Sequence, residues 1–518
     1  MALISFATIT ISLAALFVAG RIYWETTTGA RRRALRKQHG CLPAKSLFSN
    51  PLLLGIPRLM NNLKAFREHR LLADWADSLT TNNVTTVHDW VFGTTCFITS
   101  DPENVKTILA TNFASWSIGK GRIDAMTSYL GSGVFTTEGA AWKHSRAMLR
   151  PCFERSQVAD VSLMEKHDGT TVDLQPLLHQ LTLDIATEFL FGRSTNALDR
   201  STEDKKCAEF IEAFEYCQNP FRENENTSRW ALLTQFLPDL TFKKKVKIIQ
   251  GTLHTYQPPD FVDNIIQDQI AASASTSGPL SPSPDRYVLL DELLSQTQDR
   301  TVIRSELLNI LLAGRDTTAS LLSNLFFELP RHPAILARLR DEIAEHIGTD
   351  AAAVPSYEQL KSLKFLRAVI NESQRLYPIV PSNSRMALHD TILPRGGGPD
   401  ESAPVLVPKG GLVGYHLWSM HRRPDIYGAD AAVFDPSRWL DDEHAAAPLR
   451  PGWAYLPFNG GPRVCIGQNF ALTETMFVVV RLLQRFEIES RDDEPWREKL
   501  SLTCVGLGGC KIALRPVA

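Results

Sequence analysis

The 518-residue sequence predicts a mainly α-helical fold with small β-sheets, and three observations carry that expectation. Helix-period apolar patterns fill Arg304 to Glu328, Pro333 to Ile347, Tyr357 to Tyr377 and Gly467 to Phe486. Alternating or β-branched runs are few and short, at Thr86 to Thr99, Val405 to Val407 and Lys511 to Leu514. Apolar residues make up 44% of the chain, enough for one large core where length alone would suggest roughly three domains.

The chain opens with an uncharged run, Met1 to Gly20, containing Leu3, Ile4, Phe6, Ile9, Leu13, Leu16 and Phe17. A helix of about 20 residues spans roughly 30 Å, one hydrocarbon core. Arg21, Tyr23 and Trp24 follow where an interfacial belt belongs, and then Arg31, Arg32, Arg33, Arg36 and Lys37. The expectation is a transmembrane anchor over residues 1–20. A cleaved signal peptide would carry its basic residues first. Residues 21–50, with Gly40 and Pro43, read as a basic, proline-containing linker, and 51–518 as the main body, cytosolic by the positive-inside rule. On that topology the sequons at Asn83, Asn226 and Asn371 are inert.

With 55 basic and 57 acidic residues the net charge is −2, which argues against nucleic acid as a partner. The eight cysteines (41, 96, 152, 207, 217, 465, 504 and 510) show no paired spacing, so a reducing compartment fits better than a disulfide framework. No histidine pair has metal-ligand spacing. Ala271 to Pro284, rich in Ser, Pro and Ala, reads as a surface loop.

Four motifs carry chemistry. The run Phe458-Asn459-Gly460-Gly461-Pro462-Arg463-Val464-Cys465-Ile466-Gly467 is a glycine- and proline-rich loop closed by a cysteine, with a helical pattern following. Glycines permit the tight turn, and an oncoming helix N-terminus favours an anionic sulfur, so the loop suits presentation of a thiolate to a metal. Ala313-Gly314-Arg315-Asp316-Thr317-Thr318 places a glycine, an acid and two hydroxyls inside an apolar helix, a locally unfavourable choice that needs a reason. Local loosening at Gly314 would leave room for a small ligand. Glu372 and Arg375 lie one helical turn apart, with Pro436-Ser437-Arg438-Trp439 downstream. Trp142 and Arg146 share one face of a helix in Trp142-Lys143-His144-Ser145-Arg146.

Phe458, Gly461, Arg463, Cys465 and Gly467 match F-x-x-G-x-R-x-C-x-G, and with the upstream motifs the chain resembles the cytochrome P-450 superfamily over nearly its whole length. The resemblance implies a long central helix over haem b, with iron ligated by the Cys465 thiolate, which promotes O–O cleavage. It places Thr317 where a hydroxyl orients dioxygen and its water, Asp316 where an acid relays protons, and Thr318 as a supporting hydroxyl. It joins Glu372, Arg375 and Arg438 in a structural network on the haem-proximal side, with Ser437 where an acid is usual. It puts Trp142 and Arg146 on a haem propionate and Phe458 in the cofactor loop. Arg385 and Arg463 are further propionate partners by guanidinium–carboxylate pairing.

The stripe Lys143, Arg146 and Arg150 suits docking of an acidic electron donor. The chain has no dinucleotide fingerprint and no length for a flavin domain. The implied donor is therefore a separate NADPH–cytochrome P-450 reductase, with cytochrome b5 as a second candidate, at the endoplasmic reticulum membrane.

In detail the chain resembles the fungal membrane-bound hydroxylases of n-alkanes and fatty acids. The likeness rests on Trp142 to Pro151, Leu183 to Gly192, Leu311 to Leu321 and Arg385 to Gly398. It implies ω-hydroxylation of long chains. The expected pocket draws on Ile123 to Tyr129, Leu312, Ala313, Ile379, Val380 and Val505 to Leu507, apolar enough for an alkyl chain and equally for a polyketide or terpene. Tailoring of a fungal secondary metabolite is the alternative. An oxygen-independent haem-thiolate isomerase or dehydratase, or a haem sensor, would not need the Asp316–Thr317 pair. The stretch from Val161 to Val172 is shorter than this branch leads one to expect.

Overall fold

The computed structural model describes residues 6–47, 55–91, 93–153, 170–198, 205–218, 239–250, 261–275, 288–441 and 449–517. The helices include α1 (Phe6–Trp24), α2 (Ala30–His39), α3 (Lys120–Leu130), α4 (Gly139–Leu149), α5 (Leu174–Phe191), α6 (Lys205–Gln218), α7 (Arg300–Glu328), α8 (Pro333–His346), α9 (Tyr357–Ser362), α10 (Lys364–Leu376) and α11 (Gln468–Arg485). The expectation of a mainly helical body with small sheets therefore holds. Residues 161–169 of the shortened stretch and 276–284 of the expected loop lie outside the described residues, while Ala271 to Ser275 belong to a helix, Phe261–Ser275, and not to a loop.

Helix α7 begins four residues earlier than its apolar pattern suggests. The Asp299 carboxylate accepts from the N–H groups of Thr301 and Val302, capping donors that have no partner within the helix. It stays helical through Gly314 to Glu328, so no break opens there. The segment read as one helix from Tyr357 is two, because Leu363 turns away at φ −73°, ψ 87°. α7 is buried on nearly every side. Leu325 and Phe326 pack with Val369 of α10 and Val479 of α11, and Leu308 packs with Phe189 of α5 and Phe214 of α6. Each such side chain contributes roughly 1.5–3 kcal/mol on burial.

Strands β1 (Lys45–Ser46), β2 (Thr86–Val91), β3 (Thr94–Thr99), β4 (Trp116–Ser117), β5 (Ser382–Ala387) and β6 (Leu412–His416) form the largest sheet, in the order β1-β2-β3-β6-β5-β4. The β5–β6 pairing sets Arg385 opposite Val413. Because strand residues alternate faces, that register fixes which side Arg385 presents.

The N-terminal expectation needs correction. Among the described residues no helix is long and apolar enough to cross a membrane. The uncharged part of α1, Phe6 to Gly20, would reach roughly 22 Å against a core of about 30 Å, and it carries Thr8, Thr10 and Ser12. The helix then runs into Arg21 and Glu25, which pair with each other. The transmembrane helix, the single-pass anchor and the endoplasmic reticulum membrane address derived from it are set aside. α2 is held against the body, with Arg31 and Arg32 each donating to Asp390.

Glu372, Arg375 and Arg438 do meet. Glu372 takes two parallel hydrogen bonds of 2.8 Å from Arg375, and further ones from Arg438 Nε at 2.9 Å, Trp439 Nε1 at 2.9 Å and the Asp435 N–H at 3.0 Å. Arg375 also donates to the carbonyls of His421, Ala431 and Val433. Asp430 pairs with Arg438 at 3.2 Å, so the serine at 437 does not leave that arginine without a second acid. Side chains 372 and 375 are wholly buried. Removing one member strands the other charges out of water. Glu372→Ala should therefore lower stability by about 3–5 kcal/mol, read from urea unfolding midpoints, and a loss below about 1 kcal/mol would refute the bracing role.

Candidate active site

Phe458 to Gly467 forms a loop whose shape is set by backbone contacts. The Cys465 N–H donates to the Phe458 carbonyl at 3.0 Å, and Asn459 Nδ2 donates to the Arg463 carbonyl at 3.3 Å. Gly461 has φ +65°, and a Cβ there would lie 1.9 Å from the Leu109 carbonyl oxygen, so only glycine fits. Gly467 has an ordinary φ of −90° and directly precedes α11. Its glycine is not demanded by backbone conformation, contrary to the general expectation for this loop.

The Cys465 side chain is exposed to an internal cavity of about 290 Å³. Burial pushes its thiol pKa up. The Gly467 N–H and the Arg146 guanidinium draw it back down, so the helix-terminus effect expected from the sequence operates against desolvation. Thr317 lines the same cavity, with its hydroxyl donating to the Ala313 carbonyl at 2.6 Å. Ala313, Gly314, Thr318, Trp142, Arg146, Arg385, Phe458 and Arg463 line it too.

Asp316 does not line it. Its carboxylate faces His179 of α5 at 3.5 Å and Arg315 at 3.6 Å. Burial raises its pKa, but His179, Arg315 and Gln218 outweigh burial and hold it below the usual carboxylate range. Of the predicted pocket residues, Met126, Leu312, Ala313, Ile379 and Val380 line the cavity. Val505 to Leu507 do not, and Leu502 and Thr503 take their place.

Sequence reasoning missed two residues. Arg122, just before the predicted Ile123–Tyr129 wall, lines the cavity and donates to Asn383 Oδ1 at 2.9 Å. Glu474 lines it from α11, on the stripe shared with Phe470 and Ala471, and interacts with the Thr318 hydroxyl. An acid on an otherwise apolar helix face was the available signal. Burial pushes Glu474 up to about 8, and Thr318 opposes that only in part.

Arg122, Arg146, Arg385 and Arg463 converge on the cavity, and among the described residues none of them forms an ion pair with an acid. Glu138, whose charge acts on Arg463, accepts from the Ser117 hydroxyl and the Ile118 N–H. Burial first and the neighbouring Arg385 second depress the pKa of Arg122 and of Arg463, the latter to about 10. Several guanidinium groups without counter-charge, beside a cysteine sulfur, fit a dianionic metal-bearing ligand such as haem with its two propionates. Trp142 lies beneath Arg463, 4.5 Å from guanidinium to ring centre.

Cavity, cysteine loop and a cluster of arginines without ion-pair partners among the described residues fit a thiolate-ligated haem protein. A cytochrome P450 family model matches residues 55–507, and the chain belongs to the cytochrome P450 family. It is a monooxygenase, an oxidoreductase with haem b held through an axial cysteine thiolate. Similar proteins include cytochrome P450 monooxygenase himC of Aspergillus japonicus, 42% identical over 500 residues, or 94% of this chain and 86% of that one. Cytochrome P450 52A4 of Candida maltosa is 43% identical over 484 residues, covering 87% of this chain and 86% of its own. The crystal structure of the cytochrome P450DA heme domain shares the fold, with a TM-score of 0.72 at 20% identity over 92% of this chain and 98% of that one.

Glu474 carries a pH signature. Its folded pKa lies above the ordinary glutamate value, so over the intervening pH range the folded protein holds a proton that the unfolded chain has released. That contribution is present at low pH and is lost as pH rises through about 8. Glu306, raised to about 7, acts in the same sense. The urea midpoint should fall between about pH 5 and 8, less steeply in Glu474→Gln, and an unchanged slope in that variant would exclude a buried protonated carboxyl.

Proposed function

We propose that Cys465 supplies the axial thiolate and that the enzyme hydroxylates the terminal carbon of long-chain alkanes or fatty acids. The observation that carries the substrate reading is the cavity wall. Away from the arginine cluster it is largely hydrocarbon, with Met126, Leu190, Ile310, Leu312, Ile379 and Val380, and it suits an alkyl chain. Likeness to the Candida proteins named cytochrome P450 52A1 and 52A4 supports the same branch. The catalytic unit on this reading is residues 51–518.

When bound, haem supplies the activation of dioxygen, and the thiolate donates electron density that favours O–O cleavage. The chain's own groups do the rest. Arg122, Arg146, Arg385 and Arg463, with Trp142, would hold the propionates, and Phe458 and the rest of its loop would orient the sulfur. Thr317 offers a hydroxyl at the cavity, Asp316 regulates proton entry behind it, and Glu474 keeps a proton near neutrality beside Thr318. Hydrocarbon walls keep stray water out, which strengthens these interactions. Electrons come from NADPH–cytochrome P450 reductase, with cytochrome b5 as a second donor. Exposed Lys143 on α4 and Arg150 beyond it suit an acidic docking face.

Reconstitution with reductase, offering dodecanoic acid and hexadecane, tests the substrate. Terminal alcohol formed in step with NADPH consumption is the expected result. Oxidation confined to inner carbons, or no turnover of either chain by protein with an intact thiolate spectrum, would overturn it in favour of a tailoring role on another apolar scaffold.

A further inference from the structure

Asp316 lies behind the cavity rather than in it, which raises the question of what connects it to solvent. Two charged neighbours flank it. Arg315 cannot release a proton near neutrality and is engaged by Glu215 of α6. On the other side His179 Nδ1 stands 3.5 Å from Asp316 Oδ1, with 25% of its side chain exposed against 13% for Asp316. His179 belongs to α5, one turn before Thr182 on the strip that continues as Thr182, Ala186 and Phe189 along the cavity. It lies beyond the cavity's edge. The Thr182 hydroxyl donates to the Arg315 carbonyl at 2.8 Å and pins α5 to α7 at this level. Helices α5 and α7 pack more extensively than any other pair of described elements, so the imidazole's position is set by the fold.

We propose that His179 is the proton-entry residue for Asp316, a positioning group that couples this acid to solvent. The inference rests on the reading of Asp316 and Thr317 as the proton-managing pair. Imidazole is the side chain whose charge changes most readily between about pH 5 and 8. The ring in its Nδ1–H form takes a solvent proton on Nε2, and the Nδ1 proton passes to Asp316 Oδ1. A neutral ring protonated on Nε2 remains, and tautomer exchange through water resets it: Nε2 releases its proton to solvent and Nδ1 takes one up. The groups facing the imidazole are Asp316 and Arg315 from α7, with Glu215 and Gln218 of α6 behind them.

The test uses the haem-loaded full chain with reductase and dodecanoic acid as probe, comparing His179→Gln, His179→Arg and Asp316→Asn. Product formed per NADPH should fall roughly tenfold in His179→Gln, with hydrogen peroxide rising to match. His179→Arg keeps a positive charge but no transferable proton, so it should be equally uncoupled. A spectroscopic readout is independent of the substrate. The 13C-carboxyl titration of Asp316, assigned by its loss in Asp316→Asn, should move to higher pH in His179→Gln. Normal coupling in both His179 variants beside an uncoupled Asp316→Asn would overturn the role of His179 alone. Normal coupling in all three would overturn the reading of Asp316 as well. Full coupling in His179→Arg alone would reduce His179 to a source of charge and overturn proton entry.

Discussion

The site depends on one constraint, the seating of the cysteine loop against the carbonyl of Leu109. At Gly461 the backbone takes a left-handed turn so close to that oxygen that no side chain can be accommodated. The turn allows the Cys465 N–H to close back on Phe458 and leaves the sulfur directed into the cavity. Everything else is arranged about that point. α11 starts at the next turn and carries Phe470 and Glu474 along the same wall, while α7 brings Thr317 and Thr318 to it.

Charge is distributed unevenly around this cavity. Four arginines gather where no described acid pairs with them, while Glu474 lines the same cavity from α11 and Asp316 lies behind it. Glu474 is protonated near neutrality by burial, whereas Asp316 is kept ionised by His179, Arg315 and Gln218. Two carboxyl groups in one enzyme thus sit in opposite protonation states because their neighbours differ. The Glu372 network differs again. Its charges are fully matched by hydrogen bonds, and its work is to hold α10 against the segment around Arg438.

Much of this was legible in the sequence because the motifs have local physical causes. The cysteine loop, the Asp316–Thr317 turn and the Glu372–Arg375 pair each place unusual residue types at fixed spacing, and Trp142 and Arg146 share a helical face. Arg122 and Glu474 were not legible in that way. Each acquires meaning only when α3 and α11 are brought to the same cavity, which no local pattern encodes. The split at Leu363 is a single-residue turn inside a continuing helical period. At the N-terminus the sequence pattern misled, because a run without charge was read as a span. Among the described residues, the hydroxyls within α1 and the Arg21–Glu25 pair at its end leave no helix long and apolar enough to cross a membrane.

The central claim is that Cys465 is the sulfur that meets the iron. The carbon-monoxide difference spectrum of the dithionite-reduced protein, recorded beside Cys465→Ala, tests it most directly. A thiolate-type Soret band in the parent that disappears in the variant is the predicted result. A band that survives the substitution would contradict it and require another cysteine to be the ligand.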